Sequence, residues 1–380
     1  MKMLIRQRLL VIVACLTIFL SASCVIGQKS TITKVEPGTS TVDKKFTKLF
    51  ARNCCGVTGA DGDYSVLLPD GHTIWIFGDS FLGTVKPDRS REKTIPWFIR
   101  NSMAVQEGDS LRSLYNVIDG WESSFVIPPG APKGKQFSED SLWYWPGDGF
   151  IENGKLKVFM SAFYQAIAGD WGFRWVSANI ATFSLPDIKL ERIDHISYPG
   201  TNEIHWGHAV CDGDRRFTYI YGAEDKSKNL YVARAPKSNI LESWEFYTGN
   251  EWVKDPKLAK PMLAIQGSEQ FSVFKLKNKY VLVVQEGGFM TGEICSYYSA
   301  FPFKDWKNRK VLCHTQLPED VTSTKNLFAY NSMAHPQFIE HGELLISNCV
   351  NSFVVEDVFK DASKYRPVFL RVPIKRIFEK

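Results

Sequence analysis

Five times along the chain an apolar run, a short polar turn and a second apolar run follow one another. The five stretches are Gly59 to Ser80, Gly147 to Tyr164, Gly207 to Asp225, Gly267 to Gly288 and Ala334 to Asn351. Each turn carries residues that tolerate tight backbone geometry: Pro69-Asp70-Gly71, Asn153-Gly154, Asp212-Gly213, Lys277-Asn278 and His341-Gly342. The flanking runs are rich in β-branched and aromatic residues and read as paired strands. Polar residues at the head of each hairpin, Asp63, Asp148, His208, Glu269 and His335, are spaced by 85, 60, 61 and 66 positions. A period above about 50 residues built on paired strands points to propeller blades rather than a solenoid.

Outer strands come from "WVSANIATFSL", "LYVARAP" with "EFYTG", "ICSYYSA" with "VLCHT", and "PVFLRVPIKRI". No long amphipathic helical pattern competes with them. The expected fold is therefore all-β, a five-bladed β-propeller with about four antiparallel strands per blade.

The N-terminus reads differently. Lys2, Arg6 and Arg8 precede an apolar run from Leu9 to Leu20 and then "SASCVIG", the pattern of a secretory signal too short for a permanent membrane span. Two outcomes are open: cleavage after Gly27, or acylation at Cys24 as a bacterial lipoprotein. The expected division is a signal over 1–27, a linker over 28–46 and the propeller over 47–380. The expected location is the periplasm or the outer-membrane or cell surface, with a lipid at Cys24 the one link to a membrane. Losing Lys2, Arg6 and Arg8 lowers the formal charge from +5 to +2, and no run of like charges occurs. Nucleic acid is not an expected partner, because phosphate binding needs a concentrated basic face. The six cysteines after the signal, Cys54, Cys55, Cys211, Cys295, Cys313 and Cys349, match no zinc spacing, and their pairing is left open.

In a propeller the innermost strands all start at one face of the channel. Asp61, Asp63, Asp148, His208, Glu269 and His335 are thus expected to ring one funnel, with Asp79, Glu224, Asp225 and Glu286 in a wider ring. Paired carboxylates across a funnel suit glycoside hydrolysis, one protonated and one ionised. The candidate catalytic residues are Asp61, Asp63, Asp148 and Glu269. Asp79, Trp143, Trp145, His208, Glu224, Glu286 and His335 are candidate substrate-binding residues. Asp61 near glycine reads equally as a turn former, and His208 and His335 as hydrogen-bonded core groups. His205 and His208, three apart on a strand, are expected to face opposite sides, so no metal pair is assigned. Trp97, Trp121, Trp143, Tyr144, Trp145, Trp171, Trp175 and Trp206 offer faces for sugar stacking or for packing between blades. The insertion from Lys86 to Phe137 is suited to a substrate-contacting wall.

The stretches "GADGDYSV", "WIFGDS", "NSMAVQ", "YIYGAED", "LYVARAP" and "AHPQF" together resemble secreted bacterial five-bladed propellers of a family of unknown function. That group is similar to the endo-D-arabinanases and, more distantly, to the propellers of glycoside hydrolase family 43. The resemblance spans Thr47 to Ile377. It implies an active-centre Asp at Gly59-Ala60-Asp61, where Ala stands in place of Thr, and matches Phe77-Gly78-Asp79 to a conserved strand end. By analogy with family 43 it implies a base at Asp61 or Asp63, a pKa-tuning Asp148 and an acid at Glu269 or Glu224. It implies no required cofactor, with a structural calcium or sodium ion in the central channel near His335. The implied partner is a carbohydrate, and the implied activity hydrolysis of a polysaccharide such as an arabinan-like furanoside. A non-catalytic glycan-binding propeller would need the same aromatic walls without the acid and base, and a scaffold propeller would plug the funnel with apolar side chains.

Overall fold

The computed structural model describes residues 40–93, 98–131, 141–169, 171–198, 203–287 and 291–379. The signal, Cys24, most of the linker, Trp97 and parts of the Lys86–Phe137 insertion lie outside the described residues. What is described is a five-bladed propeller of antiparallel sheets.

Blade 1 holds Tyr64–Leu67, Thr73–Phe77, Ser102–Glu107 and Ser110–Leu114. Blade 2 holds Trp143–Glu152, Lys155–Gln165, Phe173–Ser184 and Lys189–Ile196. Blade 3 runs from Ile204–Asp212 through Phe217–Glu224 and Leu230–Pro236 to the short strands Glu245–Tyr247 and Trp252–Val253. Blade 4 holds Gly267–Leu276, Lys279–Glu286, Glu293–Ser299 and Lys307–His314. Blade 5 takes Leu327–Glu340, Glu343–Ser352 and Val368–Pro373 from the C-terminal part, and its outer strand, Thr41–Val42, from the N-terminal part. That strand falls within the expected linker; its pairing with Leu370 and Arg371 makes it part of the propeller.

The hairpin turns follow from local chemistry. At Asn153-Gly154, Lys277-Asn278 and His341-Gly342 both central residues have positive φ, 53° and 72°, 47° and 59°, 50° and 78°, the geometry that matches the twist of the flanking strands. The turn expected at Asp212-Gly213 is instead a longer loop over 213–216, held by Asp214 Oδ1, which accepts from the backbone N–H groups of Arg216 and Phe217.

Each blade buries both faces against its neighbours, which is why Thr73–Phe77 carries four consecutive apolar residues after Thr73 and is buried at every position. Five apolar clusters each draw on two adjacent blades. Tyr64, Ile74 and Ile76 meet Leu156 and Val158 between blades 1 and 2. Phe159 and Ile180 meet Ile220 and Phe246 between blades 2 and 3. Tyr221 and Val232 meet Phe271 and Val284 between blades 3 and 4. Val281 and Ile294 meet Ile346 and Leu370 between blades 4 and 5. Trp75 and Phe77 meet Leu345 and Phe369 between blades 5 and 1, with Phe46 and Phe50 of the helix Lys44–Phe50 wedged in.

Asp43 fastens this last joint. Its Oδ1 accepts from the N–H of Phe46, capping the helix, and its Oδ2 takes the Nε of the buried Arg371 at 2.6 Å. Arg371 also engages the more exposed Glu340 and the Phe338 carbonyl, so losing Asp43 removes the helix cap and the buried one of two carboxylate partners. Asp43→Ala is expected to cost about 2 kcal/mol, measured as a lower urea midpoint at unchanged slope; a loss under about 0.5 kcal/mol, the range of an ordinary surface substitution, would show that the ring closes without it.

Candidate active site

A cavity of about 1290 Å³ opens on one face of the ring, and all five blades contribute to its lining. Of the acidic residues expected there, Asp61, Asp79, Asp225 and Glu269 reach it.

Asp61 and Asp79 bracket the first hairpin, and closing the hairpin brings them together. The N–H of Asp61 donates to the carbonyl of Asp79, and the N–H of Gly78 to the carbonyl of Asp61. The Asp61 carboxyl packs directly on Gly78, where an added Cβ would lie 2.4 Å from its Oδ1. Its Oδ2 accepts from the hydroxyls of Tyr330, at 2.6 Å, and Tyr365, at 2.9 Å. Burial and the neighbouring charge of Asp79 push the Asp61 carboxyl up to about 7, against the pull of the two tyrosines. Asp79 has its own partners: Trp145 Nε1 donates to Oδ1 at 2.7 Å and Arg100 Nη1 lies 3.3 Å from Oδ2. The Arg100 guanidinium sits 4.2 Å over the Trp143 ring.

Glu269 is held differently. Lys228 Nζ donates to Oε1, and Lys228 is in turn 3.3 Å from Asp225. Burial pushes the Glu269 carboxyl up, but His205, Lys228 and His208 together outweigh it and hold it well below the usual carboxylate range. A carboxylate so held accepts protons poorly, the opposite of the state of Asp61.

The two histidines of His205-Trp206-Gly207-His208 share one side of the strand, contrary to expectation. A bulge between Trp206 and Ala209 shifts the register, with Gly207 at φ 94°. Both rings line the cavity, their centroids 6.2 Å apart. A Cβ on Gly207 would meet the Phe159 ring at 2.1 Å, so glycine is required there.

Six other expected site residues lie off the cavity lining. Asp63 is fully buried at φ 48°, and accepts from the Cys349 thiol at 3.2 Å; burial pushes it up to about 8. Asp148 ties blade 2 to blade 3 by accepting from the N–H groups of Gly149 and Val210, both at 2.8 Å; burial pushes it up to about 7 despite these bonds. Glu224 accepts from the Ser227 and Tyr231 hydroxyls. Glu286 takes Tyr297 and Arg309 on the outer strands of blade 4. Trp143 is buried beneath Arg100. His335 is fully buried between the hydroxyls of Ser65 and Ser347, at 2.7 and 2.9 Å from its two ring nitrogens. With both nitrogens engaged, His335 does not fit the calcium or sodium ion that the resemblance implies there.

Of the aromatic residues singled out, Trp145, Trp171 and Trp175 line the cavity, joined by Phe163, Phe173 and Tyr164. Trp171 is 59% exposed and Tyr164 42%. Tyr144 and Trp206 belong to inter-blade cores, and Trp121 stands on a small two-stranded sheet apart from the cavity. Among the cysteines, Cys54 and Cys55 are bonded to each other, and Cys211, Cys295, Cys313 and Cys349 are free and buried. No helix among the described residues is long and apolar enough to cross a membrane.

Arg100, Lys228, Tyr330 and Tyr365 carried no recognisable motif, since each matters through a partner from another blade. His205 had a signal: a glycine inside a strand pattern marks a bulge.

Asp63 generates a pH prediction. Its folded pKa, about 8, lies above the ordinary carboxylate value, so its contribution to stability is fully present below about pH 4 and is lost as pH rises through 8. Unfolding free energy should fall between pH 5 and pH 8, by on the order of 1 kcal/mol per pH unit from this group. Asp63→Asn, isosteric and tolerant of positive φ, should flatten that part of the slope in urea titrations; an unchanged slope would mean that Asp63 is ionised in the fold.

Among solved structures, the chain is similar to a presumed hydrolase from Bacteroides ovatus, with a TM-score of 0.76, 22% identity, and coverage of 89% of this chain and 93% of that one. It is also similar to a GH62 hydrolase solved with xylotriose, at TM-score 0.49, 9% identity, and 83% and 92% coverage. An exo-beta-1,3-galactanase from Phanerochaete chrysosporium gives TM-score 0.48, 9% identity, and 84% and 64% coverage. Likeness at these identities is a likeness of fold. No curated protein sequence matches the chain. A family model matches residues 43–374, essentially the whole propeller, and the chain belongs to that family, described as Domain of unknown function (DUF5005).

Proposed function

We propose that the chain is an exported glycoside hydrolase that cleaves a polysaccharide in the funnel, with Asp61 as proton donor. The observation that carries this reading is the state of Asp61: a carboxyl raised to about 7 by burial and by Asp79, facing a large aromatic-walled cavity. A group with that affinity holds a proton at neutral pH and can release it to a leaving glycosidic oxygen. Asp79, fixed by Trp145 and Arg100, serves to keep Asp61 protonated. Glu269 on blade 4, paired with Lys228 of blade 3, is the second carboxylate facing the same cavity, ionised and able to stabilise a developing positive charge.

The aromatic rim supports a sugar ligand in particular. Trp171 and Tyr164 leave apolar ring surface in water at the mouth of the cavity, and a pyranose or furanose ring covers such a face with its C–H side. An arabinan-like furanoside is the substrate class to try first. Residues 1–27 act as the export signal in this proposal; mass spectrometry of the exported protein should find Gln28 or a lipidated Cys24 at its N-terminus, and retention of Met1 would exclude both.

Release of reducing ends from an arabinan panel and a wider polysaccharide library tests the reaction. Wild-type activity should decline as pH rises above about 7, because Asp61 then loses its proton. Asp61→Asn should lower kcat by about 10² to 10⁴, and Trp171→Ala should raise KM by about tenfold with little change in kcat. Turnover undiminished in Asp61→Asn would remove Asp61 as the acid. Binding of a glycan by the wild type with no product from any substrate would reassign the cavity to glycan recognition without cleavage.

A further inference from the structure

We propose that His205, His208 and Glu269 form a binding site for a divalent transition-metal ion in the wall of the cavity. One donor atom from each of the three lies within 4.8 Å of the others, close enough for a single ion to reach all of them at ordinary metal–ligand distances of about 2.0–2.2 Å after small side-chain rotations.

The state of the two imidazoles points to a missing partner. His205 is 3% exposed and His208 7%. Neither ring nitrogen of His205 makes a hydrogen bond, and Nε2 of His208 makes none. Buried polar atoms are nearly always satisfied, and three orphaned nitrogens in one cluster call for an external partner. His205 Nδ1 approaches Glu269 Oε2 at 3.5 Å, too long for an ordinary hydrogen bond.

The surroundings hold these side chains in place. His205 stacks on Trp175 with ring centroids 5.0 Å apart and planes 19° off parallel. His208 Nδ1 faces the Tyr64 hydroxyl at 3.4 Å, so Nε2 is turned to the other side of the ring, as in a metal-bound histidine backed by a polar group. Lys228 engages Oε1 of Glu269 and leaves Oε2 on the histidine side. Counting Glu269 and Asp225 against Lys228, the immediate charge is one negative, favourable to a cation.

Donor type decides the ion. Two imidazoles and one carboxylate match zinc, cobalt or iron sites, whereas calcium takes six to eight oxygen ligands. Three protein ligands also leave coordination positions open, and all three residues face the cavity, so the open positions would take water or sugar hydroxyls. Metal binding and glycoside cleavage share this cavity but can fail separately, because binding is read without any substrate.

The test uses the purified mature protein, stripped with EDTA and titrated by calorimetry with Zn²⁺, Co²⁺ and Ca²⁺ in separate runs. One equivalent of Zn²⁺ should bind at least about a hundredfold more tightly than Ca²⁺, and Co²⁺ should produce visible absorption bands of nitrogen and oxygen ligation. His205→Phe, which keeps a ring against Trp175, and His208→Gln should each weaken Zn²⁺ binding by about a hundredfold or more, and Glu269→Gln by about tenfold. His72→Ala, on the exposed first hairpin, should leave it unchanged. Circular dichroism identifies variants that keep the native fold; if one histidine variant does not, the remaining variants and the Co²⁺ spectrum decide. Absence of Zn²⁺ binding in the wild type, or equal binding by natively folded His208→Gln or Glu269→Gln, would overturn the site.

Discussion

The structure depends on circular closure of apolar faces. Among the described residues the five inter-blade apolar clusters are each shared by neighbouring blades, so the hydrophobic stabilisation of every sheet is complete only when the ring is. Two consequences follow. The chain ends must meet, which the strand Thr41–Val42 and the Asp43–Arg371 pair accomplish at blade 5. The inner strands must also run close around the axis, where small residues permit contact: an added Cβ on Gly147 would stand 2.3 Å from the carbonyl oxygen of Gly207.

Closure also divides the polar residues into two populations. Those at the inner joints are drawn into the protein, where Asp148 and His335 satisfy backbone and hydroxyl groups between blades. Those one step outward, Asp61, Asp79 and Glu269, open on the cavity. The environments at the cavity then separate the carboxyls. Asp61 meets burial, two hydroxyls and a like charge, while Glu269 meets a lysine and two histidines. Opposite shifts in chemically similar groups on one cavity are what acid and base chemistry requires.

The legible part of this protein was the part encoded locally. Hairpin turns, apolar runs and their spacing gave the blade count and topology, because turn chemistry and burial on both faces leave their marks within a few residues. The pairing of Asp61 with Asp79 was legible for the same reason, since a hairpin joins its own two ends. Asp63, only two residues from Asp61, was not separable from it, because a positive φ at Gly62 and Asp63 turns its side chain inward toward Cys349. Strand alternation likewise misplaced His205 relative to His208, since one bulge cancels the period of two.

By itself, then, the sequence determined that the chain is predominantly β, that it repeats five times, and that acidic and aromatic residues cluster near the hairpin mouths. Those properties arise from neighbours in the chain and survive any rearrangement of the blades. The tertiary structure alone decided which carboxyls are raised and which lowered in proton affinity, which histidines face each other and which tyrosines hold Asp61. The tyrosines that hold Asp61 lie 269 and 304 positions from it and are brought within 3 Å by closure of the ring, and the facing of the histidines follows from a bulge whose consequence appears only in the folded sheet.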